Sequence, residues 1–172
     1  MIRKANERDL YAIAHIYDHI HALEQQGQYT TGWIKGIYPT LQTAQDAIRS
    51  GSMYVYEHDV QILASAKIDH IQPPSYSQVN WSISADDRDV LVLHTLVVHP
   101  DHSGQGIASL FIRQYEDMAR EKQCTALRID TNARNTKARQ LYKRLGYTEL
   151  GIIPCCFNGI QDVQLVCMEK LL

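Results

Sequence analysis

Cysteine is scarce and poorly spaced: Cys124, Cys155, Cys156 and Cys167 contain no Cys-x-x-Cys pair, so neither a zinc ribbon nor a disulfide framework is indicated. The four are expected to be reduced thiols, some of them in the core. No run reaches the ~18 uninterrupted apolar residues of a membrane helix, and Met1 to Asp9 carries charges where a secretory leader would be apolar. No membrane association and a cytoplasmic location are therefore expected. Neither sign of charge dominates, with 17 Lys+Arg against 19 Asp+Glu and a net charge of −2, so no basic field gathers nucleic acid or anionic lipid. Repeats, low-complexity tracts and charge runs are missing as well. What remains is 172 residues, 45% hydrophobic and 21% charged, a mixture that suits a single domain over residues 1–172.

Local patterns order the chain. After a short strand near Ile2, Leu10, Ile13, Ile16, Tyr17 and Ile20 recur at helical spacing behind Asp9, a candidate N-cap. A polar stretch with aromatics runs from Gln25 to Pro39. Thr40 then caps an amphipathic run (Leu41, Ala44, Ala47, Ile48) that Gly51 can end. Met53 to Glu57 and Ile62 to Ile68 read as a hairpin across His58-Asp59, although the favoured Asn-Gly or Asp-Gly turn is missing. Val90 to Val98 is almost wholly apolar, as in a central strand buried on both faces. A glycine loop, a helix bearing Ile107, Leu110, Phe111 and Met118, a strand from Ala126 to Thr131 and a helix opened by Asn135 follow. Tyr147 to Ile153 and Gln161 to Glu169 supply the last strands. The order predicts an α/β layered domain with a mixed sheet.

Two segments carry chemistry. In the first, Val98 to Ala108 joins the buried strand to a helix through Gly104-Gln105-Gly106, where missing Cβ atoms let backbone N–H groups reach a pyrophosphate. A Gly-x-Gly pair alone is equally a plain turn. The phosphate loop of nucleoside triphosphatases is excluded because no Gly-Lys-Ser/Thr follows. A dinucleotide fold fits better, with Asp130 in the place of a ribose-binding acid, yet five residues, His99 to Ser103, separate strand from glycines and half the chain precedes the strand. In the second segment, Asn135 and Tyr142 stand seven residues apart, on one edge of a helix, and one ligand could run along that edge. Taken singly, Asn135 is a good N-cap, Tyr142 a common half-buried aromatic and Gly146 an ordinary C-cap.

Ser103-Gly104-Gln105-Gly106-Ile107-Ala108 and the Asn135, Ala138, Tyr142, Leu145, Gly146, Tyr147 pattern together resemble the GNAT N-acetyltransferase superfamily. The element order agrees over nearly the whole chain, and the specific residues fall within Leu91 to Tyr147. The resemblance implies a mixed, mainly antiparallel central sheet flanked by helices, with an acyl-CoA loop between central strand and helix. It implies acetyl-CoA as donor and direct transfer to a primary amine on a small molecule or peptide, with nucleic acid and membrane not among the partners and the oligomeric state left open, a homodimer included. It places the cofactor on Leu96, Val97, Val98, on Ser103, Gly104, Gln105, Gly106, Ile107, Ala108 and Ser109, and on Asn135, Ala138 and Tyr142. Ser103 departs from the family's usual Gln or Arg, which leaves phosphate binding to backbone amides and the helix dipole. The strand ending at Val98 would splay from its neighbour, and its amides near Leu96 and Val98 would bond the pantetheine arm. Tyr142 would protonate the departing thiolate.

The base has to be found otherwise, because Leu91 to Val98 contains no carboxylate and His94 is the one titratable side chain there. Its imidazole can take the amine's proton directly or through water, or it can simply pack and bond a carbonyl. Tyr29, Trp33 and Tyr38 wall the acceptor site, or serve as core. His15 and His19 share a helix face, but Ile16 stands where a zincin carries glutamate, so they read as solvated and no metal is expected. Two other functions stay open: a CoA-binding regulator without catalysis, and a dinucleotide-binding oxidoreductase.

Overall fold

Eleven regular elements follow in the computed structural model, which describes residues Met1–Leu172. They are β1 (Ile2–Lys4), α1 (Leu10–Gln25), α2 (Leu41–Arg49), β2 (Met53–His58), β3 (Gln61–Asp69), β4 (Val90–Val98), α3 (Ile107–Glu121), β5 (Ala126–Asn132), α4 (Thr136–Arg144), β6 (Thr148–Phe157) and β7 (Ile160–Leu171). One seven-stranded sheet runs in the order β1-β2-β3-β4-β5-β7-β6. Only β4 and β5 lie parallel, and every other neighbour is antiparallel. The expected mixed sheet is thus present. It rules out the dinucleotide fold, whose sheet is mostly parallel and doubly wound.

Helices cover both faces because their apolar stripes have separate partners. On one face, Ile13, Ile16, Tyr17 and Ile20 of α1 and Ala44, Ala47 and Ile48 of α2 bury against Met53, Val55 and Val97. On the other, Phe111, Ile112 and Tyr115 of α3 meet Leu63, Leu91, Leu93, Leu127 and Ile129. Val90 and Val92 point away from α3 into a third cluster with Tyr76, Ala126 and Leu165. β4 is therefore buried on both faces over Val90 to Leu93, but only half-buried over His94 to Leu96. The segment between β3 and β4 is clamped down by Arg128. Its guanidinium pairs with buried Glu169 at 3.1 Å, bonds Gln72 and the Ile83 carbonyl, and lies 4.0 Å from the Trp81 ring centre.

Several local expectations change. Asp9 does not cap α1 by its side chain. Asn6 caps a short 3-10 turn instead, and the Asp9 carboxylate accepts the Asn6 N–H and pairs with Arg3. The β2–β3 turn is Asp59-Val60, both left-handed at φ 47° and 65°, so a type I′ turn forms without its favoured residues. The last two strands are longer than the alternation indicates, because Asn158-Gly159, at φ 52° and 80°, makes a two-residue turn and lets pairing run out to Phe157 and Ile160. Pro154 is tolerated since β6 is an edge strand. Thr40 caps α2 and Gly51 leaves it at φ 68°, both as expected.

Candidate active site

The parallel pair at the centre of the sheet comes apart. β4 and β5 are in register from Val90–Ala126 to Leu93–Ile129. Beyond that, β5 continues along β7 from Asp130 to Asn132 while β4 continues along β3. At the parting, Thr95 takes a left-handed φ of 52° and the β3–β4 register shifts, a bulge that bends β4 away. His99 N–H bonds Leu63 O on β3 at 2.7 Å. By the strand's two-residue alternation, the N–H groups of Val98 and Leu96 then face the gap.

Just beyond the strand end, glycine geometry builds a second set of free donors. Gly104 and Gly106 sit at φ 83° and 81°, and a Cβ on either would meet nothing of the protein within 4 Å. Gly106 is the N-cap of α3, whose first internal bond is Leu110 N–H to Gly106 O at 3.0 Å. Six successive N–H groups, Gly104 through Ser109, have no acceptor in the protein. Donors so placed at a helix N-terminus form a cradle for an anion.

Gap and cradle open into one cavity of about 1110 Å³. Among the residues singled out from sequence, its lining includes His94, Leu96, Val97, Val98, Ser103, Gly104, Gly106, Ile107, Ala108, Ser109, Asn135, Ala138, Tyr142, Tyr29, Trp33 and Tyr38. Gln105 alone falls outside the lining. The Val97 side chain belongs to the core beneath α1, so it offers the cavity chiefly backbone. Asn135 Oδ1 accepts the Ala138 N–H at 3.2 Å and caps α4, which leaves its amide nitrogen free. Asn135 and Tyr142 both line the cavity, as their shared helix edge requires. Burial, and then the charge of Asp130, hold the Tyr142 hydroxyl well above an ordinary phenol. It therefore stays protonated across the working range.

His94 is held in one orientation. Its Nε2 lies 3.1 Å from Asp69 Oδ1, while Lys67 Nζ is 3.0 Å from Oδ2 and Ile71 N–H donates to Oδ1 at 2.9 Å. Burial pushes the Asp69 carboxyl up, but His94, the Ile71 amide and Lys67 together outweigh it and bring the carboxyl to about 2. An ionised carboxylate only accepts, so Nε2 carries the proton and donates. In the neutral ring Nδ1 is then the acceptor, and it makes no bond to the protein.

Asp69's lowered pKa also sets a stability expectation. The carboxyl is depressed below its unfolded value of ~3.9, so its contribution is present above about pH 4 and fades as pH falls towards 2. Urea unfolding of wild type and Asp69→Asn should show a stability gap near neutral pH that narrows over that acid window. A gap independent of pH would place the effect elsewhere than in the carboxylate's charge.

Sequence reasoning missed Asp130 in this role, along with Lys67, Asp69 and Thr95. Asp130 lines the cavity from β5, accepts the Tyr76 hydroxyl at 2.9 Å and is pushed up by burial against the opposing pull of His94 and Tyr76. The Tyr38 hydroxyl bonds Thr95 Oγ1 at the bulge, and its ring lies edge-on to Trp33 at 6.1 Å. The aromatic loop before α2 is pinned over the cavity. Glu24 accepts the Thr31 and Gly32 N–H groups and pairs with Arg134 at 3.1 Å. Gly32 comes so near β5 that a Cβ there would be 2.4 Å from Asn132 Nδ2. His15 is exposed, as expected, and His19 is half-buried; both rings also lie near His99, which leads out of β4.

The profile of the Acetyltransferase (GNAT) family matches residues 13–147, most of the chain and every part of the split strand, cradle and α4 edge. The chain belongs to this family. Among known GNAT proteins, it is 37% identical over 60 residues to thialysine N-epsilon-acetyltransferase of Bos taurus, which covers 35% of each chain. Such matches span 33–35% of the length of the curated relatives. Its fold is that of a GNAT-family acetyltransferase structure from Streptococcus agalactiae, at TM-score 0.83 and 18% identity over 100% of this chain and 95% of the other. A Salmonella typhimurium structure described as an acetyltransferase with its cofactor acetyl-CoA aligns at TM-score 0.71 and 19% identity, covering 100% and 93%. At these identities the likeness is one of fold. No helix of this GNAT protein is long and apolar enough to cross a membrane.

Proposed function

We propose that residues 1–172 form one acetyltransferase domain that moves an acetyl group from acetyl-CoA to the primary amine of a small-molecule or peptide acceptor, by direct transfer in a ternary complex. The observation that carries this reading is the meeting, in one cavity, of six unpartnered N–H groups at an α-helix start with the gap between β4 and β5. The amides of Gly104 to Ser109 hold the pyrophosphate. The N–H groups of Leu96 and Val98 bond the pantetheine arm, and one of them faces the thioester carbonyl, where oxyanion charge develops. The free amide of Asn135 steadies the same arm, and Ala138 leaves room for it beside Tyr142.

Acceptor and donor meet at His94. Tyr29, Trp33 and Tyr38 wall the acceptor side, and the carboxylate of Asp130 favours arrival of a cationic amine. His94 Nδ1 takes the ammonium proton, with Asp69 keeping the ring in the accepting tautomer. The neutral amine adds to the carbonyl, and Tyr142 gives its proton to the thiolate as the C–S bond breaks. The Tyr142 phenolate takes the second proton that the nitrogen sheds as it becomes an amide, directly or through water. Each proton removed has a base and each leaving group an acid, so no covalent acetyl-enzyme is required.

Gly106→Val tests the cradle. A branched Cβ fills space that the protein itself leaves empty, and the left-handed φ costs about 1–2 kcal/mol, too little to unfold a domain of this size. Calorimetry should show acetyl-CoA binding lost while the thermal transition persists. Unaltered affinity would remove the loop from the site. A protein that binds NADH and ignores CoA would overturn the reading as a whole.

A further inference from the structure

Four histidines and an aspartate gather where α1 crosses the turn that leads from β4 to the glycine cradle. His15 and His19 are one helical turn apart on α1. The His19 ring centre lies 5.3 Å from that of His99, the His15 centre 6.0 Å and the His102 centre 5.7 Å. One ligand-capable atom from each of His19, His99 and Asp101 lies within 4.8 Å of the other two. Hydrogen bonding does not account for the gathering. Its one bond to a side chain is Asp101 N–H to His99 Nδ1 at a long 3.3 Å, with the Asp101 carboxylate 3.9 Å from the same nitrogen. None of these residues takes part in the acetyl transfer proposed above, so the cluster is independent of that reading.

We propose that His19, His99 and Asp101 bind one divalent first-row transition ion, zinc foremost. Two imidazole nitrogens and a carboxylate oxygen suit such an ion, whereas magnesium and calcium take oxygen ligands. Ligands at ~2.0–2.1 Å around a tetrahedral ion stand ~3.3 Å apart. The side chains close that distance by rotation, because Asp101 is exposed and His19 only half-buried. The fourth position falls to water, with the rings of His15 and His102 flanking it. Once bound, the ion ties α1 to the turn at Pro100–His102, directly ahead of Ser103. It favours the folded chain, since the unfolded chain holds these ligands far apart.

The test uses the untagged full chain, stripped with a chelator and dialysed. Calorimetric titration with Zn²⁺ should give one saturable site per chain, weakened roughly 10–100-fold or more in His19→Gln and in Asp101→Asn. The melting temperature should rise with Zn²⁺, fall back with chelator, and not respond to Mg²⁺. Both variants change side chains at least partly exposed, so folding is retained, and circular dichroism checks it. Co²⁺ supplies a second readout: d–d bands without thiolate-to-metal charge transfer, which ligation by Cys155 or Cys156 would produce. Failure to saturate, stoichiometric binding unchanged in the two variants, or a thiolate band would each overturn the site.

Discussion

Replacing Tyr142 with phenylalanine should lower turnover by ~10²–10⁴-fold while acetyl-CoA affinity stays in place. The ring is buried in the main core and lies 6.1 Å from Tyr147, and phenylalanine keeps that packing. What is lost is the hydroxyl at the cavity wall. Because burial and Asp130 raise the phenol, the basic limb of the wild-type rate profile should not report Tyr142 ionising in the ordinary phenol range. Steady-state kinetics and calorimetry on the same preparation separate the two effects. Full turnover in the variant would mean that water or another group protonates the thiolate.

His94→Gln has the second large expected effect, a loss of ~10²–10⁴-fold in kcat/KM for the amine. The sign with pH follows from the mechanism. Only the unprotonated ring accepts the amine's proton, so the rate should climb through an acidic limb as pH rises, and the glutamine variant should lose that limb. An acceptor that sheds its own proton in solution also gives an acidic limb, but one that tracks the acceptor's basicity. Comparing amines of different basicity therefore separates the two causes. A limb that shifts with each amine and survives His94→Gln would return His94 to a structural role. Should the limb survive that change but vanish in Asp130→Asn, the buried carboxylate on β5 would be the base.

Much of the site was legible because its signals are local. The apolar run Val90 to Val98 marks a central strand to the residue, and the glycines behind it and the Asn135 to Tyr142 edge depend on short spacings that one helix or one turn fixes. The long β6–β7 hairpin was under-read: Asn158-Gly159 is the favoured two-residue turn, while the Pro154-Cys155-Cys156 segment before it suggests an end to the strand. Asp59-Val60 was unreadable in kind, since neither residue favours left-handed backbone and the flanking pairs impose it. The partners of His94 were hidden for another reason. Asp69 comes from β3 and Asp130 from β5, and only the sheet order brings them beside β4. The Thr95 bulge, which opens the gap, leaves no mark in composition or periodicity. Likewise the approach of half-buried His19 to His99 leaves no mark in the sequence, because the fold and not the spacing brings them together.

Amine-dependent thiol release from acetyl-CoA tests the account most directly, measured over a panel of primary amines with both substrates varied. The account predicts saturable release that requires the amine, with intersecting initial-rate patterns because donor and acceptor occupy the cavity together. Parallel patterns would indicate a covalent acetyl-enzyme and contradict direct transfer. Tight acetyl-CoA binding with no amine raising thiol release above the solvent rate would contradict the activity itself and make this chain a CoA-binding regulator.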